Sequence, residues 1–234
     1  EQCLAFYPHD RETVGFTASN KRVNNYPVAL VGQALSVTNR FVQGHFMVIQ
    51  ILFQPGALFR LTTMPGTEIT DDYIEADQVF GQEVHIVNES FFHAKSYEEI
   101  VQIADAYVGR LVLKSNMEAH PIDKVCHWML GNQLSSLDTL ARQSFLSCKQ
   151  FERKFVERMG VNPKLFARIV RFDRAFRDKN LNPQQDWQNI AFNCNYYDYQ
   201  HLVRDYRTFT GLKPTDFHSL ENQAPERLFG AMEK

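Results

Sequence analysis

The sequence predicts an α+β chain: a mixed strand/helix N-terminal domain, followed by an all-α domain with two helix-turn-helix units joined by a linker helix. Three observations predict this. Short apolar, β-branched and aromatic runs, separated by Pro, Gly, Asn and Asp, crowd the first half. Helical spacing of apolar residues dominates from Ile122 onward. The second half repeats itself at an offset of 50 to 51 residues. The 234 residues, 44% of them hydrophobic and 22% charged, suffice for two domains with real cores and exclude a disordered chain.

In the first half, Cys3–Tyr7, Thr13–Thr17, Val28–Val31 and Gly44–Phe53 read as strands, with HFMVIQILF the strongest. Gln54-Pro55-Gly56 breaks the last of them. Ala57–Thr62 reads as a short helix, ended before Pro65-Gly66, and Asp77–Ser90 and Tyr97–Leu113 read as longer ones. Ile100, Ile103, Ala104, Tyr107, Val108 and Leu111 form one apolar stripe, and Ser96 with Glu99 supplies a capping box at its start. The polar stretch Lys114–Pro121 marks a boundary, giving domains at 1–115 and 120–220 and a C-terminal tail at 221–234. The helices expected beyond it span about 122–132, 137–143, 147–158, 163–179, 186–194 and 199–209.

The repeat pairs Leu140-Ala141 with Ile190-Ala191 at an offset of 50, and at 51 pairs Ser147 with Asp198, Phe151 with Leu202, Arg153 with Arg204, Phe155 with Tyr206, Gly160 with Gly211 and Pro163 with Pro214. The second unit therefore carries one more residue in its turn. In each unit a short helix with a small alanine leads through a tight turn to a capping Ser147 or Asp198. A second helix follows and ends at glycine, as in a helix-turn-helix. With Phe151 and Phe155 inward, Lys149, Glu152, Arg153 and Lys154 face out; in the second unit Tyr199, Gln200, Val203, Arg204 and Arg207 do so. These types bond base edges and phosphates.

Charge agrees. Residues 1–115 hold eight Lys and Arg against thirteen Asp and Glu, whereas Lys149–Lys179 holds ten basic residues against four acidic, as expected of a segment that meets a polyanion. Arg168, Arg171 and Arg174 lie on the linker helix and are expected to meet phosphate or acidic neighbours within the protein. A helical bundle with a duplicated hairpin and no nucleic acid fits the repeat alone.

The stretches LDTLARQSFLSCKQFERKFVERMGVNPKLFARIVRFDRAF and NIAFNCNYYDYQHLVRDYRTFTGLKPTDF resemble the DNA-binding domain of AraC/XylS-type transcriptional regulators over about 137–217. FYPHD at 6–10, VIQILFQPGALFRLTTMPGTEITD at 48–71 and DQVFG at 77–81 are similar to the N-terminal domains of a subgroup of these proteins. The resemblance implies two recognition helices, about 147–158 and 199–209, held by a rigid linker helix of about 24 Å. Such a linker separates them enough to enter successive major-groove segments of double-stranded DNA. It implies Lys149, Gln150, Arg153, Lys154, Arg168, Arg171, Tyr199, Gln200, Arg204 and Arg207 as DNA-binding residues, and a regulatory, sensory or dimerisation role for the first domain. The partners it admits besides DNA are a small-molecule effector at that domain, RNA polymerase and a second copy of the chain. The turn glycine of the family is replaced by Phe145 in the first unit and Asn195 in the second. Asparagine tolerates the left-handed region and phenylalanine does not, so the first turn is expected to be strained or differently built.

Other chemistry is sparse. There is no GxSxG, P-loop, HExxH or dinucleotide fingerprint, so no enzyme and no cofactor are expected. Cys3, Cys126, Cys148 and Cys194 lack zinc spacing and read as reduced thiols of a cytoplasmic protein. The paired acids Asp71-Asp72 and Glu98-Glu99 are expected at helix starts. His45, His85 and His93 are expected at core edges or the surface, with no metal site. No apolar run spans a bilayer and no signal peptide is visible. Two functions stay open: a sequence-specific transcription regulator, and a regulator-like module whose helical half binds a protein and no longer reads DNA.

Overall fold

The computed structural model describes residues 2–19, 21–24, 26–115, 117–131 and 136–223. Most of the expected C-terminal tail lies outside the described residues. The chain forms two compact units, residues 1–163 and 164–234.

In the first unit, β1 (Cys3–Phe6) pairs antiparallel with β4 (Val28–Val31) on one side and β6 (Ile49–Leu52) on the other, and β7 (Tyr73–Glu75) extends β4. A second antiparallel sheet places β2 (Thr13–Phe16) between β3 (Arg22–Asn24) and β5 (Thr38–Phe41). β1 and β4 are buried on both faces, which explains their unbroken apolar sequence. Cys3, Ala5 and Tyr7 share a core with Val14, Phe16 and Val23 of the second sheet. Leu4 and Phe6 point the opposite way, into a core with Val84, Val87 and Phe91 of α3 (Glu83–His93) and Tyr107 of α4 (Tyr97–Lys114). α1 (Ala57–Thr62) adds Leu58 to that core, and α2 (Asp77–Phe80) follows β7.

Several expectations need correction. Of HFMVIQILF only Ile49–Leu52 is strand: it is an edge strand with alternate residues exposed, so one face is all it buries. β3, β5 and β7 are three or four residues long, and β5 is mostly exposed, so they lack the apolar runs by which strands are read. Asp77–Ser90 is two helices, broken at Gly81. Glu98 and Glu99 do open α4, with Ser96 as its cap. Asp71-Asp72 starts no helix. Asp71 accepts from the Ser36 hydroxyl and from the backbone N–H of Leu35 and Ser36, which holds its carboxyl below the usual range despite partial burial, and Asp72 pairs with Lys21.

The first helical hairpin belongs to this same unit. It comprises α5 (Pro121–Leu130), α6 (Leu137–Gln143) and α7 (Cys148–Met159). α7 ends at Gly160, which has φ 75° and lies against the 3-10 turn Gly66–Glu68. Thr70 Oγ1 donates to the carbonyl of Gly160 at 3.0 Å. A Cβ on Gly160 would lie 2.2 Å from Thr70 Oγ1 and 2.7 Å from the carbonyl oxygen of Gly66.

The second unit contains α8 (Pro163–Leu181, apart from its first residue), α9 (Trp187–Asn193), α10 (Tyr199–Thr210) and α11 (Pro214–Glu221). Ala175, Ile190, Ala191, Leu202 and Tyr206 form its core, with Phe172, Trp187 and Phe217 packed on it. Val203, expected outside, is buried here. Lys179 is buried at the end of α8, where its ammonium donates to the carbonyls of Pro183 and Gln185, each at 2.7 Å.

Gly160 and Gly211 share a φ of 75° and a role as helix C-cap, but nothing lies within 4 Å of a Cβ at Gly211. Gly211→Ala is expected to destabilise by about 1–2 kcal/mol, the left-handed backbone penalty alone. Gly160→Ala should exceed it clearly, because backbone at Gly66 must move. Chemical unfolding of both variants measures the difference.

Candidate nucleic-acid interface

The two turns are built alike. Leu146 N–H donates to Ala141 and Phe145 N–H to Arg142; Tyr196 N–H donates to Ala191 and Asn195 N–H to Phe192. Phe145 and Asn195 take the left-handed conformation, with φ 56° and 59°. This is the Schellman arrangement, which satisfies the last carbonyls of a helix. The first turn is therefore strained, as expected, but not differently built, and its phenylalanine ring is 87% exposed.

The helix after each turn, α7 or α10, then starts from a cap. Ser147 Oγ accepts from Gln150 N–H, and Gln150 Oε1 accepts from Ser147 N–H, closing the capping box. Asp198 accepts from His201 N–H, and its contact with the His201 ring at 2.8 Å holds its carboxyl below the usual range. Phe151 and Phe155, or Leu202 and Tyr206, face inward and fix which sides of the helices face out.

Those outer sides carry the expected residues unequally. Lys149, Gln150 and Arg153 on α7, and Gln200, Arg204 and Arg207 on α10, are exposed. Gln150 commits its carbonyl to the capping box. Lys154 is half-buried; burial holds the His120 imidazole below its ordinary range, and the charges of Arg158 and then Lys154 add to this. Tyr199 packs on the core of its unit. Arg168 and Arg171 both hold the buried carboxylate of Asp205, at 2.8 and 3.2 Å. Arg171 also lies 4.2 Å from the ring centre of Tyr196 in the second turn. Of the two neighbours expected for these linker arginines, the structure supplies the acidic one.

Arg158 was not singled out by the sequence. It is buried, donates from Nη1 to Asp123 at 2.9 and 3.2 Å, and lies 4.7 Å from the ring centre of Phe59. Its place in the repeat is filled by Phe209, so the repeat gave no signal. The charge of Asp123 inside the apolar pattern of α5 was the available clue. In contrast, neither Arg153 nor Arg204 has an ion-pair partner among the described residues.

Residues 140–219 match the family described as Helix-turn-helix domain. This segment therefore carries a helix-turn-helix domain. Among solved structures, the fold is similar to that of ToxT from Vibrio cholerae O395: the TM-score is 0.53 at 8% identity, over 93% of this chain and 88% of that one. For ToxT of Vibrio cholerae strain SCE256 with bound unsaturated fatty acid, the values are 0.51, 9%, 93% and 86%. The DNA-binding domain of AdpA in complex with target DNA aligns at 21% identity over 44% of this chain and 95% of that one, with a TM-score of 0.41. A comparison with curated proteins finds no match.

Outside the helix-turn-helix domain, Glu75, Asp77 and His85 bring one ligand atom each to within 4.8 Å of one another. His85 lies 3.1 Å from Asp77; His45 and His93 do not join the group. None of the four cysteines is in a disulfide, and burial pushes the Cys194 thiol up to about 11. No described helix is long and apolar enough to cross a membrane.

The two kinds of arginine separate on stability. Arg158→Ala strands a buried carboxylate and is expected to destabilise by about 3–5 kcal/mol. Arg153→Ala should stay within about 0.5 kcal/mol of the wild type. Phe145→Gly relieves a left-handed side chain that buries nothing, and should stabilise by about 1 kcal/mol. Urea unfolding of the three variants checks each value.

Proposed function

We propose that the chain is a sequence-specific transcription regulator that reads duplex DNA with α7 and α10. The observation that carries this is the pair Arg153 and Arg204: repeat-equivalent, exposed, and without an acidic partner among the described residues, while neighbouring arginines are committed to carboxylates. An arginine near the start of a recognition helix can bond guanine in a bidentate way. Lys149 and Gln200, four residues earlier on the same faces, complete two reading pairs, with Arg207 and Gln150 beside them.

Residues 120–220 are the DNA-binding domain in this reading, and 1–115 the regulatory, sensory or dimerisation domain. Modulation is supported by the packing of the first hairpin in one unit with the sheets, and by a fold relative whose structure holds an unsaturated fatty acid. A small-molecule effector at the first domain, a homodimer and RNA polymerase are the further partners. The protein-interaction alternative rested on Phe145, and that turn keeps the geometry of its counterpart.

The test is selection of duplexes from a random library by the full chain, then titration across salt. With the four cations Lys149, Arg153, Arg204 and Arg207 exposed on the reading faces, log affinity should fall against log salt with a slope of about −4. Arg153→Ala or Arg204→Ala should lose about 1–3 kcal/mol on the best site and relax preference at one or two base pairs. Failure to enrich any sequence, or salt-independent binding, would overturn the reading.

A further inference from the structure

The one-residue difference between the turns can be placed. The matching hydrogen bonds align Leu146 with Tyr196, while the caps align Ser147 with Asp198. Cap follows turn directly in the first unit. In the second a single residue, Tyr197, stands between them.

Tyr197 is 91% exposed, and its ring lies edge-on to His201 at 5.7 Å. His201 is itself tied to the cap Asp198. The ring is thus steered at the mouth of α10, next to Gln200 and ahead of Arg204. On the other side of the turn Phe192 is 81% exposed. An exposed phenylalanine offers no atom that can bond a phosphate, so the surface around this turn suits an apolar group. In the major groove the apolar group that bases present is the C5-methyl of thymine.

We propose that Tyr197 is a specificity-determining residue of the second reading head, and that its ring packs on a thymine methyl group. The proposal rests on the reading of the chain as a DNA-binding regulator. It makes the two heads chemically unlike: α7 presents Lys149 and Arg153, whereas α10 presents Gln200 and Arg204 with the added ring of Tyr197 ahead of them. The preferred site is then asymmetric, and the protein binds it in one direction.

Deoxyuridine lacks only that methyl group, so replacing each thymine of the selected site in turn by deoxyuridine is the test, with the full chain and Tyr197→Ala and Tyr197→Phe variants. Thermal unfolding confirms that the variants fold, as exposure at this position leads one to expect. For the wild type, deoxyuridine at one thymine of the second half-site should weaken binding about fourfold, the value of one buried methyl group. Tyr197→Ala should bind the thymine site about fourfold more weakly and be indifferent to that replacement, whereas Tyr197→Phe keeps the wild-type response. Equal deoxyuridine profiles for wild type and Tyr197→Ala would overturn the proposal. So would a Tyr197→Ala variant that binds DNA unchanged but loses promoter activation, which would assign the ring to a protein partner. Absence of any selected site for the wild type would instead defeat the DNA-binding reading itself.

Discussion

Arg158 and Asp123 lie 2.9 Å apart with under a tenth of either side chain exposed, and the first hairpin is organised around them. Taking both charges out of water is expensive, and the geometry must offset that cost. Asp123 Oδ1 and Oδ2 both face Arg158 Nη1, and Oδ2 also accepts from the backbone N–H of His120 at the start of α5. The guanidinium lies over Phe59 of α1. One ion pair therefore fixes the start of α5, the last turn of α7 and the surface of the strand/helix half that meets them. Gly160, two residues on, brings the end of α7 against Gly66 and Thr70. The 57–70 segment thus meets the end of α7 at two places, the Phe59 ring under the Arg158 guanidinium and Gly66 with Thr70 against Gly160.

The second unit solves the same bracing problem with different residues. Asp205, on the inner side of α10, receives Arg168 and Arg171 of α8. In the repeat Asp205 corresponds to Lys154, and Arg158 to Phe209, so neither brace is inherited from the other unit. What the units share is the turn, the cap, the inward pair of large side chains and an outer-face arginine with no ion-pair partner among the described residues. The shared features build the two turns and the helices after them, and the private ones hold each helix in its own surroundings.

How much of this was legible in the sequence follows from what each residue's signal was. The helices of the second half were readable almost to the residue, because capping Ser147 and Asp198, terminal Gly160 and Gly211, and strong apolar periodicity agree. α11 went unread, since a Pro start and one eight-residue turn sequence give little pattern. The first half was harder: strands of three residues and the exposed β5 have no periodicity to read. At the interface, sequence found the outward faces but could not sort the cations on the basic segment. Arg158, Arg168 and Arg171 are bracing groups because acids distant in sequence come to meet them, and Lys179 because the chain after α8 turns two carbonyls back onto it. Val203 misled because the apolar stripe of α10 is one position wider than that of α7.

The central claim is that α7 and α10 are the surfaces that meet DNA, while the arginines behind them hold the frame. Hydrogen exchange of the full chain, with and without a selected duplex, tests it most directly. The account predicts slowed exchange confined chiefly to the starts of the two recognition helices, around 147–154 and 197–207, with the strands of the first half unchanged. Protection that spares both helix starts and appears on α3 or α4 would contradict it.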